Sequence, residues 1–480
     1  MVKEKKKQNR RMTDRIYEGE HVLVVGMGKS GVAAMKAFAH AGAIVAVYDA
    51  KDIEWRDKEL FERITDIGAV SYFNGAEPPS EGWDYIVKSP GVPPDLPFIE
   101  AAVAQGAVLM SDLDPAYAFA PEAGTFIAIT GTNGKTTTTT LVGEIYQAAG
   151  AVSVVTGNIG TPVIDTVEKA AYGTIFVTEI SSFQLEDVRV FRPKVAAILN
   201  LTPDHLDRHK TMENYGAAKA KIFAAQTKDD YIVYNADDEL VTALVKSASS
   251  KRFPFSRQNV LETGAFLKGG RLVLADAEAI VKKYKGVGSD DTTDLIAADE
   301  LRIPGAHNVE NALAAAAVAY CGGIDPKVIA RTLKSFRGVA HRMEHVTTIN
   351  GVNFVNDSKG TNPDASAKAI EASSQGILLI AGGYDKQSDF RPFIRGFDGK
   401  VKHLLLMGAT AQRFKSEAEE EGFMDVTVCE DMGACVRLGF ELAEPGDTVL
   451  LSPASASWDM YACFEERGDH FKKTVETLSR

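Results

Sequence analysis

Two glycine-rich loops, each lying between an apolar segment and a helix-forming segment, most constrain the fold of this chain. The first is VLVVGMGKSGVAAMKAF, in which Gly26, Gly28 and Gly31 have the spacing G-x-G-x-x-G. The second, FIAITGTNGKTTTTT, carries Gly-Lys-Thr at residues 134–136. Loops of both kinds bind phosphate groups where a strand of a parallel sheet leads into a helix. The chain is therefore predicted to contain two α/β units with one anion site each.

Apolar strand segments alternate with helical segments along the whole chain, which predicts an α/β fold with three domains. The segments HVLVVGMG and AIVAVYDA belong to the first domain, TFIAITG, TIFVTEIS and KVAAILNLT to the second, and GILLIAGG, VKHLLLMG and DTVLLSPAS to the third. We place a flexible basic tail at 1–20 and domains at 21–114, 115–338 and 339–480. Ligands are expected at the carboxyl ends of the strands.

The charge and hydropathy of the chain exclude several classes of protein. Its formal net charge is −12 over 480 residues, which argues against a nucleic-acid partner bound through a basic face. The basic N-terminus has no apolar run behind it, and no apolar segment approaches the roughly 20 residues of a membrane span. We expect a cytoplasmic protein that binds anionic ligands through helix N-termini, single lysines or metal ions.

The first loop alone leaves several interpretations open. Asp49 follows Gly31 by eighteen residues, at the end of the next apolar segment, and this arrangement is typical of dinucleotide-binding domains. An NAD-dependent dehydrogenase is one alternative, and a tight turn without a ligand is another. A dehydrogenase would leave the second loop without a role.

The second loop is a stronger signal for a nucleoside triphosphate. Lys135 is expected to pair with the β- and γ-phosphates, and the hydroxyl of Thr136 to bind magnesium. The loop is shorter than the common eight-residue pattern, because Ile129 stands where its first glycine belongs and the glycine is Gly131 instead. The predicted ATP loop comprises Gly131, Thr132, Asn133, Gly134, Lys135, Thr136 and Thr137.

Further polar residues follow two apolar segments of the same domain. Glu179 lies in TEISSFQLE, and Asp204 and His205 lie in LNLTPDHLDRH. Each could be an ordinary loop residue, but together they place oxygen and nitrogen donors at the edge that carries the phosphate loop. Because magnesium prefers oxygen ligands completed by water and phosphate, these residues predict metal binding.

The motifs GTNGKTT, TEISSFQLE, NLTPDHLDRH, GAHNVENALAA, AHRMEHV and NDSKGTNP, in this order, resemble the Mur ligases. These are ATP-dependent, amide-forming enzymes of peptidoglycan synthesis. GMGKSG, SPGV, GGYDK and LSPASASWDMYACFEERG resemble the members that add D-glutamate, and the D-N-P-R motif of the diaminopimelate-adding members is absent. Folylpolyglutamate synthetases share a similar ATP domain but have no glycine-loop domain before it.

The resemblance implies an N-terminal Rossmann-like UDP-binding domain, a central ATP-binding mononucleotide-fold domain and a C-terminal Rossmann-like domain. The first loop would then hold the UDP-sugar and the second loop ATP. The implied ligands are UDP-N-acetylmuramoyl-L-alanine, D-glutamate, ATP and two Mg²⁺ ions, and we expect a monomer. A nucleotide-binding regulator, which would use the ATP loop as a switch, remains a third alternative.

The resemblance also assigns residues of this sequence to each ligand. The residues implied for the UDP-sugar are Lys29, Ser30, Asp49, Ser89, Gly91, Asn158 and Gln184. Those implied for ATP, besides the loop, are Asn308, Asn311, Arg342 and Asp357. Those implied for D-glutamate are Thr361, Lys386, Ser457 and Phe464.

The metal ligands implied are Thr136, Glu179, His205 and a carbamate on Lys219. Lys221, two residues further on, is the alternative, and we expect it to be an exposed helix lysine. Lys135, Lys219, His205 and Asp204 form the expected catalytic set. Either Asp204 or His205 could orient or deprotonate the incoming amine, and the general base stays open.

Overall fold

The computed structural model describes residues 17–51, 58–67, 71–93, 95–276, 292–303, 305–385 and 388–478. The chain divides into two compact units, Met1–Phe336 and Arg337–Arg480. The first unit contains two sheets and the second contains one. The predicted α/β class with three domains is confirmed, whereas the proposed domain boundaries stay a prediction. Most of the basic tail lies outside the described residues.

The first sheet has five parallel strands in the order β3-β2-β1-β4-β5. The central strand HVLVV is apolar at four successive positions because all four are buried, as expected for a parallel sheet covered on both faces. The strands are β1 (His21–Val25), β2 (Ile44–Asp49), β3 (Ser71–Asn74), β4 (Tyr85–Lys88) and β5 (Val108–Ser111). The helices are α1 (Lys29–His40), α2 (Lys58–Ile67), α3 (Pro97–Ala104) and α4 (Leu113–Phe119).

The second sheet has nine strands in the order β14-β13-β12-β11-β10-β9-β6-β8-β7. Six neighbouring pairs, from β7 to β12, are parallel, and β13 and β14 extend the sheet in antiparallel fashion. Its strands are β6 (Thr125–Thr130), β7 (Ser153–Gly157), β8 (Ile175–Glu179), β9 (Val195–Ile198), β10 (Tyr231–Asn235), β11 (Lys251–Ser256), β12 (Gly264–Lys268), β13 (Arg271–Ala275) and β14 (Thr292–Ala297).

The helices of this part are α5 (Lys135–Ala148), α6 (Val163–Glu168), α7 (Ser182–Leu185), α8 (Leu206–His209), α9 (Met212–Ala220), α10 (Glu239–Leu244), α11 (Ala306–Cys321) and α12 (Pro326–Ser335). Short 3₁₀ turns cover Lys221–Phe223, Val245–Ser247 and Ala298–Glu300. The alanine-rich α11 is buried continuously from Asn311 to Cys321. Since small side chains permit close approach, α11 packs tightly against α5, the helix that follows the phosphate loop.

The sheet of the second unit has six strands in the order β15-β16-β20-β17-β18-β19, parallel except for the β15–β16 pair. Its strands are β15 (Glu344–Ile349), β16 (Val352–Asn356), β17 (Ile377–Ala381), β18 (Val401–Leu406), β19 (Val426–Val428) and β20 (Thr448–Leu451). The helices are α13 (Pro363–Ala372), α14 (Arg391–Arg395), α15 (Ala411–Glu420), α16 (Met432–Leu442) and α17 (Phe464–Thr477). No helix in the described part of the chain is long and apolar enough to cross a membrane.

Candidate active site

The first glycine loop joins β1 to α1 at the carboxyl edge of the first sheet. Close packing requires glycine at position 31, because a Cβ there would lie 1.8 Å from the carbonyl oxygen of Gly26. Gly28 is the N-cap of α1, and the first turn of this helix has no acidic side chain. Since the amides of a helix N-terminus favour negative charge, this end of α1 suits an anion.

Two residues assigned to the UDP-sugar hold this loop by its backbone. The carboxylate of Asp49 accepts hydrogen bonds from the amides of Met27 at 2.9 Å and Lys51 at 3.0 Å. The hydroxyl of Ser89 donates to the carbonyl of Gly26 at 2.8 Å. Asp49 and Ser89 therefore fix the shape of the loop through their side chains.

A cavity of about 580 Å³ lies beside the N-terminus of α1. Residues of the first and second sheet regions line it together, including Gly28, Lys29, Lys36, Gly160, Thr161 and Lys169. Ser30 is half-buried at the same helix end, and Gly91 is exposed in the turn after β4. The cavity thus joins the glycine loop to the segment that contains Asn158.

The phosphate loop joins β6 to α5, and Gly134 takes a left-handed conformation with φ 80°. The ammonium group of Lys135 lies folded over the loop, where it donates to the carbonyls of Gly131 at 3.0 Å and Thr132 at 2.8 Å. Thr136 is buried in the first turn of α5. The lysine charge is therefore held over the loop in which a phosphate would sit.

The loop is braced by the segment that follows β9. The amide of Asn133 donates to the side-chain oxygen of Asn200 at 2.8 Å, and the side-chain nitrogen of Asn200 donates back to the carbonyl of Asn133 at 3.1 Å. The hydroxyl of Thr132 lies 3.2 Å from the Tyr215 hydroxyl and accepts from the amide of Thr202 at 3.1 Å. Two neighbouring strand ends thus fix the loop before any ligand binds.

Asn311, which the resemblance assigns to ATP, lies against the phosphate loop itself. A Cβ at position 134 would lie 2.2 Å from Oδ1 of Asn311. The same oxygen accepts a hydrogen bond from the hydroxyl of Thr138 at 3.3 Å, and the side-chain nitrogen donates to Asn308 at 3.1 Å. Helix α11 therefore contacts the loop directly through Asn311.

Glu179 provides a carboxylate at the end of β8, next to the phosphate loop in the sheet order. It is 2% exposed, and its Oε1 accepts a hydrogen bond from Nδ2 of Asn158 at 2.8 Å. Its Oε2 is buried without a hydrogen-bond partner. An orphaned buried carboxylate oxygen beside a phosphate loop is a fitting ligand for Mg²⁺, because a cation would satisfy it.

His205 and Asp204 lie beyond the end of β9 and are both about half exposed. Nε2 of His205 is 3.6 Å from a carboxylate oxygen of Asp204, and His205 has a left-handed backbone with φ 53°. No three His, Cys, Asp or Glu side chains in the described ranges approach closely enough to hold a metal by themselves. Magnesium needs only one or two carboxylates together with waters and phosphates, so this donor set still fits it.

Lys219 is almost completely buried against the phosphate loop, with 1% exposure. Its ammonium group donates to the carbonyl of Gly131 at 2.9 Å and lies 4.6 Å from the ring centre of Tyr215. Burial, together with the nearby charge of Lys135, lowers the pKa of Lys219 to about 7. A large fraction of its amine is therefore uncharged near neutral pH, which is the form that reacts with CO₂ to give a carbamate.

Lys221 differs from the expected exposed helix lysine. It lies in a 3₁₀ turn, is half-buried and donates a hydrogen bond to the carbonyl of Glu186. The expectation of exposure was wrong. The α-helix α9 ends at Ala220, and the 3₁₀ turn that begins at Lys221 directs this side chain toward the segment after α7. Lys219 contacts the phosphate loop, whereas the ammonium group of Lys221 is bound by that segment.

The sequence-predicted residues of the second unit lie in loops around its sheet. Asp357 follows β16 and is buried, with its carboxylate accepting from the Ser452 hydroxyl at 2.7 Å and the Met343 amide at 3.2 Å. Burial raises the pKa of Asp357 to about 6. Arg342 is exposed in the segment before β15.

The residues assigned to D-glutamate are also dispersed over loops of the second unit. Thr361 is half-buried before α13, and Ser457 is buried after β20. Phe464 begins α17, and its carbonyl accepts a hydrogen bond from the hydroxyl of Ser358. Lys386 lies outside the described residues.

Family models match three consecutive parts of the chain. The Mur ligase MurD-like N-terminal domain matches residues 20–111, the Mur ligase middle domain residues 129–319, and the Mur ligase glutamate ligase domain residues 341–455. The UDP-N-acetylmuramoylalanine--D-glutamate ligase of Thermoanaerobacter pseudethanolicus is 46% identical over 466 residues, covering 96% of this chain and 99% of that protein. The chain belongs to the Mur ligase family. The same-named ligase of Alkaliphilus oremlandii is 47% identical over 465 residues, with the same coverage of both chains.

Solved Mur ligase structures share the fold at low sequence identity. The UDP-N-acetylmuramate-alanine ligase of Thermotoga maritima has a TM-score of 0.53 at 18% identity and covers 96% of this chain and 99% of its own. The UDP-N-acetylmuramoylalanyl-D-glutamyl-2,6-diaminopimelate--D-alanyl-D-alanyl ligase of Acinetobacter baumannii also has a TM-score of 0.53, at 16% identity, covering 84% of this chain and 91% of its own. At such identities these structures support the fold alone.

Two residues of this Mur ligase site, Tyr215 and Asp112, carried no predicted role. Tyr215 was visible in NYGAAKAK, and because it lies four residues before Lys219 in α9, helical spacing brings its ring to the Lys219 ammonium group. Asp112 is buried at the N-cap of α4, and neither carboxylate oxygen has a hydrogen bond of standard geometry. Burial raises the pKa of Asp112 to about 6, although the nearby side chains of Ser30 and Gln184 act in the opposite direction. Gln184 is itself buried and completes a capping box at the start of α7.

Proposed function

We propose that this chain joins D-glutamate to the L-alanyl carboxylate of UDP-N-acetylmuramoyl-L-alanine, with ATP cleaved to ADP and phosphate. The observation that carries the proposal is the near-complete match to ligases of that name at 46% and 47% identity. The two loops support it, because each lies at the carboxyl edge of its own sheet and offers a separate anion site. We expect the protein to act as a cytoplasmic monomer, without a nucleic-acid partner.

The proposed reaction proceeds in two steps. The L-alanyl carboxylate attacks the γ-phosphorus of ATP, ADP leaves, and an acyl phosphate forms. The amine of D-glutamate then attacks the acyl carbon, and phosphate leaves as the amide bond forms and the amine loses a proton. The first step brings two anions together, so the site must supply positive charge.

Lys135 is proposed to supply part of that charge. Its ammonium group already lies over the phosphate loop, where it donates to the carbonyl oxygens of Gly131 and Thr132. These neutral acceptors can be exchanged for phosphate oxygens, which are stronger partners for a cation. Lys135 would thereby neutralise the β- and γ-phosphates as the carboxylate approaches.

Magnesium is proposed to bind at two positions, one at Glu179 and one at His205, with Thr136 and a carbamate on Lys219 as further ligands. When bound, the ions would neutralise phosphate charge and polarise the phosphorus–oxygen bonds. The orphaned Oε2 of Glu179 supports the first position. The lowered pKa of Lys219 supports the carbamate, since only the neutral amine combines with CO₂, releasing a proton.

Asn158 is proposed to link the two substrates. It follows β7, close to the lining of the cavity beside the first glycine loop, and its side chain donates to Glu179. A UDP-sugar in that cavity and a nucleotide on the phosphate loop would therefore approach the same pair of side chains. Asp204 and His205, which follow β9 on the other side of β6, are candidates to orient or deprotonate the amine of D-glutamate.

A single assay distinguishes the proposed ligase from the two rival functions, a dehydrogenase and a nucleotide-binding regulator. A dehydrogenase would bind NAD at the first loop, and a nucleotide-binding regulator would hydrolyse or bind ATP without an amino-acid acceptor. Incubation with ATP, the UDP-sugar and D-glutamate should release ADP only when all three are present. ADP release without D-glutamate, or no release at all, would contradict the proposal.

The acceptor should be D-glutamate in preference to L-glutamate, L-lysine, D-alanine and diaminopimelate. Thr361 and Ser457 are proposed to donate hydroxyl hydrogen bonds, Phe464 to contact the methylenes, and Lys386 to pair with a carboxylate. A site that hydrogen-bonds a carboxylate rejects analogues lacking it by as much as ~10⁴-fold. Each amino acid is supplied separately while phosphate release is followed. Faster turnover of L-lysine or diaminopimelate would assign the chain to a different ligation.

Replacing Asp49 with alanine should raise the Michaelis constant for the UDP-sugar by about tenfold, the equivalent of one charge-assisted hydrogen bond. The reason is the bond from the Met27 amide, without which the glycine loop loses its fixed shape. Affinity for ATP should not change, because the phosphate loop belongs to another sheet. Specific binding of NAD to the unmodified protein, lost in the variant, would instead favour a dehydrogenase.

A further inference from the structure

A cluster of four charged side chains joins the first sheet region to the second. Lys88, the last residue of β4, is 3% exposed, and its ammonium group lies 2.9 Å from Asp187 and 3.4 Å from Glu186. Arg208, in α8, donates through Nε to the other oxygen of Glu186 at 2.8 Å and pairs with that carboxylate through Nη2 as well. The cluster contains two cations and two anions, so its formal charges balance.

Arg208 also reaches across to the turn assigned to the UDP-sugar. Its Nη1 donates to the carbonyl of Pro90 at 3.0 Å. Pro90 lies between Ser89 and Gly91, and Ser89 in turn donates to Gly26 of the glycine loop. One guanidinium group is therefore bonded both to the turn and to a carboxylate of the central domain.

The guanidinium group of Arg208 also lies over the ring of Phe183, which contacts His205. The guanidinium carbon lies 4.3 Å from the ring centre of Phe183, and that ring lies 4.8 Å from the ring of His205. His205 immediately precedes the helix that carries Arg208. The turn next to the glycine loop and the segment that contains His205 thus share one side chain.

We propose that Arg208 is a positioning residue that fixes the Ser89–Gly91 turn relative to the His205 segment. This role rests on the proposed function, in which the first loop holds the UDP-sugar and the second holds ATP. Arg208 acts through the turn and does not contact the reacting atoms. Because the turn is fixed in this way, the bound UDP-sugar would be held at one fixed distance from the nucleotide.

The geometry requires arginine, because another cation such as lysine could not make the same set of hydrogen bonds. Three nitrogen atoms of Arg208 are used at once, two on Glu186 and one on the carbonyl of Pro90. A planar guanidinium group offers donors in these fixed directions, whereas a lysine ammonium group is a single point charge. Arg208→Lys therefore keeps the charge of the cluster and removes the bridge.

Arg208→Lys should raise the Michaelis constant for the UDP-sugar about tenfold or more, and should raise the Kd measured by calorimetry by a similar factor. This is the effect expected from the loss of one charge-assisted hydrogen bond. The Kd for a non-hydrolysable ATP analogue should stay within about twofold, since the phosphate loop keeps its own contacts. Arg192→Lys is the matched control, because Arg192 pairs with Asp230 in the same central domain. That control should leave both ligands unaffected.

Two results would overturn the proposal. One is an Arg208→Lys variant that binds the UDP-sugar as the unmodified protein does. The other is an equal loss of affinity for the UDP-sugar and the ATP analogue, which would indicate general damage to the fold. Failure of the proposed function can be told apart from failure of this proposal. In the first case the unmodified protein would show no turnover with D-glutamate, whereas the calorimetric comparison of the two proteins would still test the role of Arg208.

Discussion

Replacing Lys219 with alanine should lower turnover by about 10³-fold, the scale expected when a charged group that organises a phosphoryl-transfer site is removed. Lys219 is buried against the phosphate loop, and its lowered pKa favours formation of a carbamate. The alanine variant would leave a gap of carboxylate size at this position. Acetate or formate should therefore restore part of the activity, measured as ADP release with the three substrates.

Lys221→Ala is the control for this experiment, because Lys221 is only two residues away but donates to Glu186. It should retain most of the activity and should not respond to added carboxylates. Loss of activity in Lys221→Ala with none in Lys219→Ala would reverse the assignment of the two lysines. An inactive Lys219→Ala that no small carboxylate restores would argue against the carbamate.

The carbamate should also depend on pH in a defined direction. Lys219 has a pKa lowered to about 7, so its amine is mostly protonated below that pH and mostly neutral above it. Carbamate occupancy, followed by ¹³C-labelled CO₂ and NMR, should therefore rise as the pH increases through about 7. Removal of Lys135, whose charge contributes to the lowered pKa, should shift this rise to higher pH.

Lys135→Ala should reduce ADP formation by about 10³-fold, because a preorganised cation at the transferred phosphoryl group contributes on that scale. The UDP-sugar should bind with nearly unchanged affinity, since Lys135 lies over the phosphate loop of the second sheet, whereas the UDP-sugar is assigned to the first glycine loop. Calorimetry with the UDP-sugar and a coupled ADP assay measure the two quantities separately. Equal loss of both would mean that the two loops do not serve different ligands.

The positions of the two loops and of Glu179 within the fold could be predicted because their signals are local. A glycine loop is readable from a strand, a few glycines and the start of a helix, and both loops lie where the sequence indicated. Glu179 could be placed at a strand end by the apolar run before it, and β8 indeed ends at Glu179. The order of the strands within each sheet was not available from these local patterns.

Features that depend on distant contacts could not be predicted. The choice between Lys219 and Lys221 depends on which residue meets Gly131, 88 positions away from Lys219. The bridge from Arg208 to Pro90 spans 118 positions, and neither residue carries a motif that indicates the other. The antiparallel extension formed by β13 and β14 was also missed, because these short strands resemble many others in composition.

The contact between Gly134 and Asn311 has a consequence for how this sequence can change over generations. Any side chain at position 134 would collide with Oδ1 of Asn311, and the left-handed backbone there also opposes it. Shortening Asn311 first would remove the hydrogen bond from Thr138 before it created room. We therefore expect each single step to destabilise the loop before the second step can compensate. We expect an inhibitor that binds this part of the loop to leave few one-step mutational escapes.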